Sequence, residues 1–403
     1  MSLIHKNISI YPATTLSQDA EIELITNILE LVDSKFPNIQ RRLSSYPAAP
    51  ESEKDTLIIE LMDSFWKLEG SSDLFLVFKD FEQVFTILEQ KGHFIHSFEV
   101  FLLGWHLLNL LIKKGGKKIL GSRRNIQKHI FYAWLLTSTA HDFGYPVQVA
   151  HELADRFSLL YNKIHMNNIA DEYEKLSKNK NLTFGSSLLS VEAFDMRTKS
   201  IAPEDIELFI LVGIQRSIIG NLSDAKQIRE ALMDKHGYIS ALILCRTYID
   251  FLSKAKRWRH PGELWRVDIL QMVAAAIALH SISMTHRNFI RKISFNSNPL
   301  AYLLILIDNL QDWNRSLRPN NEWPSYNLTH FQTSQKNDFI RLDYNLYHER
   351  WDAVMERRVK KSLAEKEQKL SLAVKPAPRI GFKININFSS NHGHKFRSIN
   401  FSL

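Results

Sequence analysis

Cysteine is almost absent: the 403-residue chain has one, Cys245. A lone thiol excludes an internal disulfide and fits a reducing compartment. Its apolar setting, Ala241-Leu242-Ile243-Leu244-Cys245, marks it as a small core residue rather than a nucleophile. Glycine (14) and proline (12) are also scarce. With 45% hydrophobic and 23% charged residues, that scarcity excludes a low-complexity chain and describes a globular protein with a large core. No apolar run is long and clean enough to read as a membrane span. Phe98–Ile112, Ile269–Met284 and Leu300–Leu310 each enclose Glu, His, Asn or Asp and are expected to be buried helices. The start, Met1-Ser2-Leu3-Ile4-His5-Lys6, soon reaches Asp19, Glu21 and Glu23 and lacks the basic-then-apolar plan of a signal peptide. A cytoplasmic location and no membrane partner are the expectation. Also missing are a phosphate-binding glycine loop, a dinucleotide fingerprint, a serine-nucleophile elbow and any internal repeat.

Charge is unevenly spread. The formal net charge is +8, and residues 355–403 alone carry eleven Lys/Arg against three Glu, the whole of that excess. The preceding residues balance. A basic tail of this kind suits an acidic partner, although a solvated helix face needs none.

Apolar spacing of three to four predicts helices over most of the chain. The expected helices cover Asp19–Phe36, 54–69, 73–90, His96–Ile112, Ile126–Asp142, Gln148–Lys163, Pro203–Ser217, His236–Ala255, Arg266–Met284, Pro299–Trp313 and Tyr347–Leu370. Residues 316–350, polar and aromatic, read as a long ordered loop. Arg379–Phe388 and Phe396–Leu403 alternate apolar and polar around a turn at Ser389–His394, which predicts a β-hairpin. The expected fold is all-α, with a helical insertion and a small C-terminal β-hairpin. Three regions follow: an N-terminal helical segment over 1–90, a core over 91–315 with an insertion near 165–235, and a tail over 316–403.

Several apolar stretches deliver a ligand-type side chain. His96 precedes Ser97-Phe98-Glu99-Val100-Phe101. His141 and Asp142 end Trp134-Leu135-Leu136-Thr137-Ser138-Thr139-Ala140. His236 precedes Gly237-Tyr238-Ile239-Ser240-Ala241. His280 ends Ala274-Ala275-Ala276-Ile277-Ala278-Leu279, and Asp308 follows Leu303-Leu304-Ile305-Leu306-Ile307. A carboxylate after such a run costs several kcal/mol to bury unless it is paired or bound to a metal. A neutral imidazole is cheaper to bury, so Asp142 and Asp308 are the more informative residues. Imidazole and carboxylate together suit Zn, Fe, Mn, Ni or Co without selecting one.

The order His, His-Asp, His, His, Asp on successive helices resembles the HD superfamily of metal-dependent phosphohydrolases. The resemblance covers roughly residues 90–315. It is carried by His96-Ser97, by His141-Asp142-Phe143-Gly144-Tyr145-Pro146 and by Ala278-Leu279-His280. It implies an HD-domain helical bundle and one or two divalent ions. His96, His141, Asp142 and Asp308 would hold the first, and His236 and His280 a second, with Asp142 bridging. A metal-bound hydroxide would then attack a phosphoester, most naturally in a nucleotide or cyclic nucleotide.

Around this set, His93 stands one turn before His96 and could protonate the leaving oxygen. Arg287 and Arg291 could hold a substrate phosphate, and Tyr145 could line the mouth of the site. Each has a bland counterpart, as a helix-start histidine, a solvated arginine and a packed turn tyrosine. Tyr145 stands where the dNTP-hydrolysing branch has a further histidine, and Val147 follows Pro146 where that branch has a second proline. That branch is therefore not the expected one. The alternative to an enzyme is a regulatory module that binds a nucleotide or nucleic acid with little turnover.

Overall fold

The computed structural model describes residues 25, 37–68, 70–76, 78–79, 93–115, 124–148, 203–218, 232, 235–254, 265–281, 293–310, 325–334, 339–347, 351–373, 383–390, 393 and 395–402. Among them the helices are α1 (Pro37–Ser45), α2 (Glu51–Leu68), α3 (His93–Gly115), α4 (Arg124–Ala140), α5 (Pro203–Ser217), α6 (His236–Lys254), α7 (Trp265–His280), α8 (Pro299–Leu310) and α9 (Ala353–Ala373). A short 3-10 turn, Tyr46–Ala48, follows α1. The strands are β1 (Ser325–Ser334), β2 (Phe339–Tyr347), β3 (Lys383–Ser390) and β4 (Lys395–Ser402). The protein is mostly helical with one small sheet near its C-terminal end. Apart from Ile25 and Gln148, the expected helices over Asp19–Phe36 and Gln148–Lys163, and much of the expected insertion, lie outside the described residues.

The chain forms two compact units. Unit 1 draws on Met1–Leu68, Gly92–Ser122 and Leu306–Leu403, and unit 2 on Glu69–Lys91 and Arg123–Ile305.

In unit 1, α3 is predominantly apolar and buried on nearly every side, as such a helix must be. Its window Ile95–Ile112 is long and apolar enough to cross a bilayer, but 89% of it is buried inside the protein. It packs against α2, with the Phe65 and Phe101 rings 5.4 Å apart. Tyr46 meets Phe98 edge to face at 5.3 Å.

The sheet of unit 1 corrects two expectations. Residues 325–334 and 339–347, read as loop, pair as an antiparallel hairpin, β1–β2. The C-terminal hairpin β3–β4 is present, but it is half of a four-stranded sheet ordered β1-β2-β3-β4. The central pair β2–β3 is parallel. Parallel neighbours need a crossover longer than a turn, and α9 supplies it. The physical signal was the alternation in β2: Leu342, Tyr344 and Leu346 are buried, and β3 matches them with Ile384, Ile386 and Phe388. The Tyr344 and Phe388 rings stack at 5.2 Å. Asp343 and Asn345, poor strand formers on the opposite face, disguised the pattern. The expected helix from Tyr347 starts later, at Ala353. Tyr347 closes β2, and Asp352 accepts from the Val354 and Met355 N–H groups at 2.9 and 2.7 Å, capping α9.

Unit 2 is built around α7, which packs against α4, α5 and α6. The run Ala274-Ala275-Ala276 keeps its surface low, so neighbouring helices approach closely. Gly213 on α5 answers it: a Cβ there would stand 2.8 Å from the Gln271 carbonyl oxygen and 3.2 Å from Ala275 Cβ. Buried Asn298 starts α8. Its Oδ1 accepts from Ala301 N–H at 3.0 Å, and its amide donates to Ser217 Oγ at 2.9 Å and to the Met272 carbonyl at 3.2 Å. One side chain thus caps α8 and ties it to α5 and α7. Helix α4 kinks at His129, whose ring stacks on Trp265 at 3.4 Å.

Candidate metal centre

Three segments of unit 2 converge: the turn after α4, the start of α6 and the end of α7. Helix α4 stops at Ala140, and His141 to Gly144 form the turn that follows. His236 is the first residue of α6 and His280 the last of α7. Two glycines permit the approach. A Cβ on Gly144 would stand 2.2 Å from the His236 carbonyl oxygen, and one on Gly237 2.4 Å from the Ile277 carbonyl oxygen and 2.9 Å from His280 Nδ1. Serines fasten the junctions. Ser240 Oγ accepts from Gly144 N–H at 2.7 Å and donates to the His236 carbonyl at 2.8 Å. Ser281 Oγ accepts from Gly237 N–H at 3.1 Å. Gly144 therefore does more than stop a helix; it admits the neighbouring backbone.

The result gathers His141, Asp142, His236 and His280. Asp142 Oδ1 lies 3.4 Å from His236 Nε2 and 3.6 Å from His280 Nε2. Those two nitrogens are 3.1 Å apart. The other oxygen, Oδ2, lies 3.3 Å from His141 Nε2. The side chains of His141 and His280 are buried, while those of Asp142 and His236 keep 17% and 22% exposure. The group is enclosed but reachable.

Hydrogen bonds fix which nitrogen each ring presents. His141 Nδ1 lies 2.9 Å from the Ser138 carbonyl. His280 Nδ1 bonds the Ile277 carbonyl. His236 Nδ1 lies 3.0 Å from Gln148 Oε1, and that same oxygen accepts from the His236 backbone N–H at 2.9 Å. A carbonyl oxygen can only accept, so Nδ1 is the protonated nitrogen in all three rings. With the rings neutral, each Nε2 lone pair turns toward Asp142. Lone pairs and a carboxylate at such separations repel unless a proton or a metal cation sits among them.

The spacing fits that cation. Donors about 2.1 Å from a tetrahedral ion stand about 3.4 Å from one another, and the three separations among Asp142 Oδ1, His236 Nε2 and His280 Nε2 bracket that value. All ligand atoms of this trio lie within 4.8 Å of each other. Pinning Nδ1 to an oxygen acceptor is also how metal-binding histidines are usually oriented.

Other predicted residues are placed as follows. His96 Nε2 and Asp308 Oδ1, on α3 and α8, meet within unit 1 at 3.4 Å. Helix α3 begins at His93, one turn before His96. The Tyr145 ring stands edge to face with His236 at 5.6 Å and is 36% exposed. Arg287 and Arg291 lie outside the described residues. Gln148 was not among the predicted site residues. Only the tertiary contact with His236 reveals it, because a glutamine near the start of a helix carries no signal of its own. Cys245 is buried, and burial pushes its thiol well above the usual range, which agrees with an inert core residue.

No protein-family profile matches the chain, and neither a curated protein nor a solved structure matches it.

Proposed function

We propose that this protein is a metal-dependent phosphohydrolase of the HD type, acting on a nucleotide or cyclic nucleotide. The observation that carries the reading is the division of Asp142. One carboxylate oxygen faces His236 and His280, and the other faces His141. The resemblance assigns those histidines to two different ions with Asp142 between them, and the split of its oxygens supports a bridging role. By that resemblance His96 and Asp308 belong to the ligand set as well.

When bound, divalent ions supply Lewis-acid polarisation of a phosphoryl oxygen and make water nucleophilic at neutral pH. The protein's own part is orientation. Ser138, Ile277 and Gln148 hold the three imidazoles with Nε2 inward. The Asp142 side chain keeps only 17% exposure. Tyr145, beside His236 and partly exposed, flanks the position a substrate would take. The substrate class rests on the resemblance, which implies a phosphorylated small molecule.

Metal analysis of the purified protein, with hydrolysis of bis-p-nitrophenyl phosphate and p-nitrophenyl phosphate under Mn, Ni, Co and Mg, tests the reading. About two ions per chain and diesterase activity are expected, and Asp142→Ala should lose both together. Normal turnover by that variant would sink the site assignment. Bound metal without turnover on any ester would favour the regulatory module instead.

A further inference from the structure

We propose that Gln148 is a positioning residue of the metal centre, setting the tautomer and rotation of His236; this rests on the metal-centre reading above. Its side-chain oxygen accepts two hydrogen bonds from one residue: the His236 backbone N–H at 2.9 Å and the ring Nδ1–H at 3.0 Å. The backbone N–H can only donate, so the atom it meets is the amide oxygen, and the ring nitrogen that shares this oxygen must carry its proton. In the neutral ring that leaves Nε2 bare, facing Asp142 Oδ1 at 3.4 Å and His280 Nε2 at 3.1 Å.

The two bonds act on different freedoms. The backbone bond fixes the first residue of α6, whose N–H has no acceptor within its own helix. The ring bond fixes the rotation of the imidazole. His141 and His280 need no such partner from elsewhere, because each ring bonds a carbonyl three residues earlier in its own segment. His236 is the first residue of α6, so no carbonyl of its own helix precedes it. Its orienting acceptor comes from a distant part of the sequence, and Gln148 occupies that place. Residues 141–148 therefore contribute two ligands and the acceptor that aims a third. His236 is also the most exposed of the three histidines, so it has the most rotational freedom to lose.

A helix-capping role alone and a positioning role differ in what a substitution moves. Capping affects the stability of the metal-free protein. Positioning affects ion affinity and ring tautomer. Gln148→Leu removes both accepted bonds. Gln148→Glu restores both, with a carboxylate oxygen that accepts more strongly.

The experiment titrates Mn²⁺ and Zn²⁺ into full-length wild-type protein, Gln148→Leu and Gln148→Glu after chelation, with a melting curve of each metal-free protein alongside. Gln148→Leu should weaken binding about 10- to 100-fold, and Gln148→Glu should return it to within about threefold of wild type or tighter. Ring-¹⁵N spectra of the metal-free proteins give a second reading: the Nδ1–H signature of His236 should be present in wild type and Gln148→Glu and lost in Gln148→Leu. Unchanged affinity and an unchanged tautomer in Gln148→Leu would overturn the inference while leaving the metal centre intact. Failure of Gln148→Glu to restore affinity would also overturn it. If wild-type protein binds neither ion, the metal centre falls, and this inference with it.

Discussion

Asp142 and Gly237 illustrate two ways a single residue can govern the centre. Asp142 contributes charge, and its loss removes the group that every Nε2 faces. Gly237 contributes only the lack of a side chain. A methyl there would stand 2.4 Å from the Ile277 carbonyl and 2.5 Å from Ser281 Oγ, so α6 and α7 must separate to admit it. Overpacking of this kind destabilises by about 1–3 kcal/mol. Gly237→Ala should lower the melting temperature and weaken metal binding together, because the same displacement parts His236 from His280. A variant with wild-type stability and affinity would show that the helices yield without moving the ligands. The residues that could hold a metal stood out in the sequence because each borders an apolar run, where a polar group needs a reason. Gln148 and the packing role of Gly237 were not legible. Both depend on contacts with residues far away in the chain, and neither residue type is unusual where it stands.

At the scale of elements, the buried contact between α4 and α6 makes an independent prediction. Tyr132 and Tyr248 share a hydrogen bond of 2.7 Å, and the Arg266 guanidinium lies over the Tyr132 ring at 4.7 Å. Burial raises both phenols above their ordinary range, opposed in part by Arg266. The folded state thus holds these protons more tightly than the unfolded chain, whose tyrosines release theirs near pH ~10. The stability they contribute is fully present below that pH and declines as pH rises past it, by up to about 1.4 kcal/mol per group per pH unit. Urea midpoints should fall steeply as pH rises from about 10 to about 11, and less so in a Tyr132→Phe, Tyr248→Phe protein. Equal slopes in the two would assign the alkaline loss elsewhere. Helix boundaries marked by a local cap were readable: Pro299 begins α8 as its pattern predicts, and Asn298 before it is the cap; α1 was not expected, and α9 begins at Ala353 rather than Tyr347. Strands β1 and β2 were not, since their partners are distant or share a polar face, and a strand's identity depends on what pairs with it.

For the whole molecule, metal and folding are expected to be coupled. His141, His236 and His280 sit on segments that meet only when unit 2 is folded, so an ion that binds there favours the native state. At a free ion concentration of about 100 Kd the gain is about 2.7 kcal/mol. Chelation should therefore lower the melting temperature of wild-type protein and leave that of Asp142→Ala unchanged. A chelator shift of equal size in both would place the ion elsewhere. The sheet of unit 1 has a different consequence, one of timing during synthesis. β1 and β2 leave the ribosome as a hairpin whose β2 edge has no neighbour until α9 and then β3 have been translated. Through that interval the main-chain donors and acceptors of β2 are open to any other extended strand. A message truncated between these hairpins would yield a chain in which that edge stays open, and such a product is a substrate for chaperones or a seed for aggregation rather than a shorter version of the same protein.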